Sequence, residues 1–119
     1  MNAFYPLEQW ALQRITAEYP DIAIDLLRQF DAATIVSREN TGHGFFTNFT
    51  VDRNTAKPVV CERVIGNLWA RVEGMENLMS FLLFFEDGFA CMLEGAGIDD
   101  DVSDIDFGRA KISPLERDH

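Results

Sequence analysis

The spacing of the apolar residues changes at Thr34, and this change constrains the fold more than any other feature of the chain. Before it, apolar side chains recur every three or four positions, at Leu7, Trp10, Ala11 and Ile15. Such spacing predicts one side of an amphipathic helix. Pro6 suits the first turn of that helix, which we expect to end near Tyr19.

A second helix is predicted directly after the first. Pro20 and Asp21 restart the pattern, and Asp21 places an acid near the positive end of the helix dipole. The apolar residues expected on one face of this helix are Ile22, Leu26, Leu27 and Phe30. Residues 1–31 are therefore predicted to be helical.

From Thr34 onward apolar residues alternate with polar ones, which is typical of half-buried strands. "TIVSREN" and "FFTNFTV" read as two strands joined by a turn at residues 41–44. "NLWARVEG" reads as a third strand, in which one set of alternate residues faces the core and the other faces solvent or a partner. The inward set is Leu68, Ala70 and Val72, and the outward set is Trp69, Arg71 and Glu73.

Two nearly continuous apolar runs, "SFLLFF" and "FACML", are separated by Glu86, Asp87 and Gly88. This pattern predicts a hairpin whose strands lie in the middle of the sheet. We expect residues 82–85 to be mainly buried, and Gly95 and Gly97 to end the sheet core. Residues 51–66 are predicted to form a long loop, and residues 110–113 a short edge strand.

Helices followed by strands predict an α+β fold. The expected domain spans residues 1–119, with two N-terminal helices packed on one face of a mainly antiparallel sheet of about four to six strands. The sheet region is predicted at residues 32–113 and a frayed terminus at residues 114–119. No basic and apolar leader is visible at the N-terminus, so we expect a cytoplasmic protein that does not enter a membrane.

His43 is the most obvious candidate for catalysis, because the second histidine is the last residue of the chain. A general base needs an orienting group and a nearby nucleophile, and no recognised catalytic spacing surrounds His43. Gly42 and Gly44 instead favour a tight turn with positive φ. We therefore predict a turn residue and no catalytic residue in this chain.

Metal and cofactor sites are also not expected. Cys61 and Cys91 are 30 residues apart and lack zinc-ligand spacing, so both are predicted to be reduced thiols. The Gly95–Gly97 motif is followed by three aspartates, which would repel a phosphate. Those aspartates lack the register of a calcium loop.

The excess of negative over positive charge is concentrated in one segment of the chain. The net charge is −10, and residues 72–108 contain ten acidic residues and no lysine or arginine. One interpretation is a solvated acidic loop that serves solubility. The other is a partner-binding surface, because even distribution would serve solubility equally well, whereas a concentrated field attracts a basic partner and repels nucleic acid or anionic lipid. The residues predicted to meet a basic protein are Glu94, Asp99, Asp100, Asp101, Asp104 and Asp106.

Three stretches, "TGHGFFTNFTV", "IGNLWARVEGMENLMSFLLFFEDGFACMLEG" and "DDDVSDIDF", together resemble a group of small, mostly uncharacterised bacterial proteins. That group has a GxGFF turn and strand followed by a DG/LEG hairpin, and some members are regarded as toxin-immunity-like. The resemblance covers residues 34–107 and implies no catalytic or ligand-binding residue.

The functional expectation is a non-enzymatic immunity- or antitoxin-like inhibitor that binds a basic protein, such as a toxin domain, through its acidic surface. The alternative is a small-molecule-binding or regulatory domain whose pocket is lined by phenylalanines. Homodimerisation through the sheet stays open.

Overall fold

A computed structural model describes residues 1–112 and contains two helices followed by five antiparallel strands. The elements are α1 (Pro6–Ala17), α2 (Ala23–Asp31), β1 (Ala33–Asn40), β2 (Gly44–Val51), β3 (Val64–Arg71), β4 (Leu78–Glu86) and β5 (Phe89–Gly97). The predicted α+β class is confirmed. None of the helices within the described residues has the length and apolar character that a membrane crossing requires.

Helix α1 begins where the sequence places Pro6, in the first turn, where a missing N–H costs nothing. The Glu8 side chain accepts a hydrogen bond from the Tyr5 backbone N–H at 2.7 Å and so caps the helix start. Leu7, Ala11 and Ile15 are buried, as the spacing predicts. α1 therefore packs its apolar side onto the sheet.

Helix α2 is anchored mainly by Leu26 and Phe30, which are fully buried. Leu27 was expected on the same face, but it is 38% exposed, so this part of the prediction is wrong. The buried side chains of Leu26, Gln29 and Phe30 lie within one arc of α2, and Leu27, about 100° around the helix from Leu26, lies beyond that arc. The buried Gln29 side chain donates to the Gly88 carbonyl and accepts from the Ala90 N–H, both at 2.9 Å, and so joins α2 to β5.

The five strands form one sheet in the order β1-β2-β5-β4-β3. The predicted hairpin of β4 and β5 thus occupies the middle of the sheet, as expected, and its turn places Asp87 and Gly88 at positive φ. β3 starts at Val64, three residues before the predicted strand, so the long loop is shorter than expected. A bulge at Gly66, with φ of 119°, interrupts the pairing of β3 with β4.

One face of the sheet is covered by the two helices and carries the core. Four β4 residues on this face, Met79, Phe81, Leu83 and Phe85, are all buried. The alternate residues Leu82 and Phe84 are only half-buried, so the expectation that residues 82–85 are all mainly buried is wrong for these two. They point to the opposite side of the pleated strand, away from the helices.

Residues 98–112 leave β5 and close one end of the core. Val102 is fully buried there, and the centroids of the Phe107 and Phe45 rings are 4.9 Å apart. The edge strand predicted at residues 110–113 is reduced to one bridge between Ile112 and Val72 within the described residues. The expected frayed terminus, residues 114–119, lies outside the described residues.

Candidate functional site

The six predicted partner-binding residues occupy two separate places. The five aspartates lie in the segment that follows β5, at the end of the sheet beside the β1–β2 turn. Glu94 lies within β5 itself, the central strand. The structure therefore divides the predicted acidic surface into a loop and a position on the sheet.

Three of the aspartates organise the local backbone. Asp100 accepts hydrogen bonds from the backbone N–H groups of Glu76 and Asn77, both at 3.0 Å, and so joins the loop to the β3–β4 connection. Asp101 accepts from the Ser103 hydroxyl at 2.6 Å, which lowers the pKa of Asp101. Asp106 accepts from the Gly108 N–H at 2.9 Å.

Among the described residues, most carboxylates of residues 72–108, here called the acidic segment, lack a cationic partner. Among the described residues two of its carboxylates form ion pairs, Asp87 with Arg53 at 3.6 Å and Asp106 with Arg109 at 3.7 Å. Both pairs are exposed and weakly stabilising. Eight of the ten acidic residues are exposed, and the other two, Glu94 and Asp100, are partly exposed. The segment therefore presents a negative field to solvent.

His43 is an exposed residue of the β1–β2 turn, as predicted. Gly42 has φ of 85°, which confirms the expected turn glycine. Gly44 is required for a different reason, because it begins β2 and an added Cβ would lie 2.0 Å from the Gly95 carbonyl oxygen. The backbone carbonyl of His43 accepts from Gly97 at 2.8 Å, so this residue contributes to the fold through its main chain.

Both cysteines are free and half-buried. Burial raises the pKa of Cys61 and of Cys91, which keeps each thiol protonated and poorly nucleophilic. Within the described residues, no three His, Cys, Asp or Glu side chains are grouped closely enough to hold a metal ion.

The side of the sheet away from the helices, here called the open face, carries Phe46, Trp69, Leu82, Phe84, Met92 and Glu94. Cross-strand pairing places five of these residues in two rows, whereas Trp69 lies opposite Ser80. The first row runs from Met92 through Phe84 to Val64, and the second from Phe46 through Glu94 to Leu82. Exposure is highest towards the outer strands, with 65% for Val36 and 45% for Trp69.

A shallow groove of about 640 Å³ lies over the first row. Its apolar lining includes Val36, Val64, Phe84 and Met92, and its polar lining includes Asn48, Thr50 and Arg63. The groove therefore offers partly exposed apolar side chains next to polar ones. The predicted outward direction of Trp69 and Arg71 on β3 is consistent with this face.

Glu94 is the charged residue at the centre of the open face. Its neighbours across the sheet are Phe46 on β2 and Leu82 on β4, and Met92 and Ala96 flank it along β5. The ion pairs found in the described part of the chain do not include Glu94. A carboxylate is thus held among apolar side chains on a surface that α1 and α2 leave open.

Sequence analysis missed a buried ion pair at the opposite face. Glu8 on α1 is 2% exposed and accepts from the Arg38 guanidinium at 3.0 and 2.8 Å, from Thr47 and from the Tyr5 backbone. Arg38 also lies 3.6 Å from the centre of the Tyr5 ring. Hydrogen bonding to Glu8 raises the pKa of Arg38. The position of Glu8, third in the helix, predicts a capping role for its side chain. Its pairing with Arg38 has no local signal, because the two residues are distant in sequence.

A cavity of about 210 Å³ lies beside this ion pair. Its walls include Tyr5, Arg38, Phe45, Phe46 and Phe107. The Glu8 carboxylate, which also borders it, is already engaged by donors from Tyr5, Arg38 and Thr47. The ion pair therefore fixes α1 to β1 and β2, and its carboxylate has little capacity left for acid or base chemistry.

Comparison with protein-family models, curated proteins and solved structures finds no match to this chain.

Proposed function

We propose that this protein is a non-enzymatic binding protein of the immunity or antitoxin type, which inhibits a basic protein by occupying its cationic site. The observation that carries the proposal is the confinement of the whole negative excess to residues 72–108, whose carboxylates are largely exposed. Toxins that act on nucleic acid require cationic clefts, so an acidic protein competes with phosphate for them.

Electrostatic steering explains why the acidic residues are grouped. Asp99, Asp101 and Asp104 project from one exposed loop, and their fields add at the distances from which a partner approaches. Asp100 and Asp106 accept hydrogen bonds from backbone N–H groups, and these contacts favour an ordered loop before binding. A loop that is already ordered loses less conformational entropy when a partner docks.

The chemistry of the described residues supports binding in place of catalysis. His43 lies in an exposed turn, and Glu8 is saturated by hydrogen bonds. The two thiols have raised pKa values, which disfavours the reactive thiolate. The environments of His43, Glu8 and the two thiols therefore do not favour a role as general base or nucleophile.

The test combines affinity capture with binding kinetics. The chain is used to capture partners from its native cells, and association with the recovered partner is measured for the wild type and for Asp99→Asn/Asp101→Asn/Asp104→Asn. Asparagine keeps the acceptor oxygen that Asp101 offers to Ser103. The matched control, Glu18→Gln/Asp21→Asn/Asp25→Asn, removes the same charge near α2 and outside the acidic segment.

We expect a basic partner and an association rate that falls about tenfold in the loop variant at low salt. The association rate of the control variant should fall much less. Near 1 M salt, where the screening length is about 3 Å, the wild type should slow towards the loop variant. Capture of no basic protein, or equal association rates for the two variants, would contradict the proposal.

A second candidate function is binding of a small molecule in the cavity beside Arg38. The rings of Tyr5, Phe45 and Phe107 form apolar walls of the kind found in ligand sites. The charged lining is mainly acidic, because Glu8, Glu39 and Asp106 border the cavity and the Arg38 guanidinium is paired with Glu8. The volume, about 210 Å³, lies below the usual range for drug-sized ligands. A thermal-shift screen with small aromatic amines tests this candidate, because a ligand bound by the native state raises the melting temperature.

A further inference from the structure

We propose that the open face is the contact surface for the basic partner and that Glu94 receives one lysine or arginine side chain of that partner at its centre. This inference rests on the proposed function and extends it. The loop that carries Asp99, Asp101 and Asp104, here called the aspartate loop, attracts the partner from a distance. The open face of the sheet then makes the contact.

Charge complementarity identifies the occupant. Glu94 is partly buried among Phe46, Leu82 and Met92 and has no ion-pair partner in the described part of the chain. An apolar surface that covered it would strip water from an uncompensated carboxylate, which is costly. A cation placed over Glu94 removes that cost and forms a charge-assisted hydrogen bond.

The side chains around Glu94 provide the apolar part of the contact. Trp69, Phe84 and Met92 are large and partly exposed, and the strands that carry them are already ordered, so their backbone loses little conformational freedom on binding. Aromatic residues at the centre of an interface supply much of its binding energy. The groove over Phe84 and Met92 offers space for an apolar side chain beside the cation.

The two basic residues near this face are arranged at its β3 side. Arg63 lines the groove together with Glu86, and Arg71 donates to the Glu76 carbonyl at 2.8 Å. Neither forms an ion pair with Glu94 within the described residues. The centre of the open face therefore keeps its negative character.

The same charge argues against a second copy of the chain as the occupant. Face-to-face packing of two copies brings together two proteins of net charge −10, each with a carboxylate at the centre of its open face. Like charges at a desolvated contact are unfavourable. A cationic partner meets no such repulsion.

The experiment uses a peptide library displayed on phage as the probe, so it does not depend on isolating the natural partner. The library is selected against the full chain, and selected peptides are measured against Glu94→Gln, Phe84→Ser and Trp69→Ser. Ile24→Ser is the matched control, because Ile24 is an exposed apolar residue on α2. Melting curves establish whether each variant is folded. If Phe84→Ser does not fold, Trp69→Ser is the aromatic variant used.

We expect the selected peptides to contain lysine or arginine next to apolar residues. Their affinity should fall about tenfold or more for Glu94→Gln and for the folded aromatic variant, and stay unchanged for Ile24→Ser. Selection of peptides without basic residues, or affinities insensitive to Glu94 and to the aromatic residues, would overturn the inference. So would a dimer in sedimentation that Phe84→Ser or Trp69→Ser dissociates.

The two proposals fail separately. If the aspartate-loop variant slows association with the captured partner but Glu94→Gln and Trp69→Ser leave its dissociation rate unchanged, the proposed function stands and the open face is not the contact. If a partner binds the open face but is not basic and associates equally fast with the loop variant, the proposed function fails.

Discussion

Leu82 and Leu83 are adjacent in β4 but lie on opposite faces of the sheet. Leu83 is fully buried under the helices, whereas Leu82 is half-buried on the open face beside Glu94. These two leucines have the same side chain but different surroundings. Substituting each one therefore distinguishes a residue of the core from a residue of the open face.

The first prediction compares these two leucines. Leu83→Ala should lower the free energy of unfolding by about 2 to 5 kcal/mol, because it removes buried methyl groups and leaves a cavity. Leu82→Ala should cost clearly less, since part of its side chain is already in contact with water. Urea unfolding of both variants measures the difference, and equal losses would show that the open face is covered in solution.

The second prediction concerns the buried ion pair of Glu8 and Arg38. Arg38→Met should lower the free energy of unfolding by about 3 kcal/mol, because it leaves the buried Glu8 carboxylate without its cation. This loss of stability is at the low end of those expected when a buried ion pair is broken, because the Arg38 side chain remains 26% exposed. Arg28→Met, at an exposed position of α2, should change stability by no more than about 0.5 kcal/mol.

The third prediction separates the two roles of the β1–β2 turn. Gly42→Ala should destabilise the protein, because Gly42 has φ of 85° and an added Cβ would lie 3.3 Å from the Ser103 hydroxyl oxygen. His43→Ala should stay within about 0.5 kcal/mol of the wild type, since that side chain is exposed. Thermal unfolding tests both, and a large effect of His43→Ala would require a role for the imidazole.

The fourth prediction follows from the lowered pKa of Asp101. The Ser103 hydroxyl and N–H stabilise the ionised carboxylate, so their contribution is present above the ordinary aspartate range and is lost as the pH falls through the lowered pKa. Ser103→Ala should raise this pKa towards its ordinary value. Carbon NMR titration of the carboxyl group measures it, with Ser80→Ala as a control whose hydroxyl donates to a backbone carbonyl.

Periodicity was sufficient to predict the element types, because apolar residues recur every three or four positions in the helices and at alternate positions in most strands. It failed on β4, where Leu82, Leu83, Phe84 and Phe85 are all apolar and alternation cannot distinguish the two faces. An apolar residue on the uncovered side of a sheet looks the same in sequence as one in the core.

The candidate site was predictable only in part. The run of acidic residues is visible in the sequence, but the separation of Glu94 from the aspartates depends on where β5 ends. The pairing of Glu8 with Arg38 depends on the docking of α1 against β1, which no local pattern specifies. Contacts between residues distant in sequence are set by packing of whole elements.

A methyl NMR map of the chain with the captured basic partner bound locates the contact surface directly. We expect the methyl signals of Val64, Leu82 and Met92 on the open face to shift, while those of the buried core residues Leu12, Ile15 and Leu26 change little. Glu94→Gln should weaken the complex and reduce these shifts at equal partner concentration. Shifts confined to residues of α1 and α2, with the open-face methyls unchanged, would show that the partner does not bind the open face.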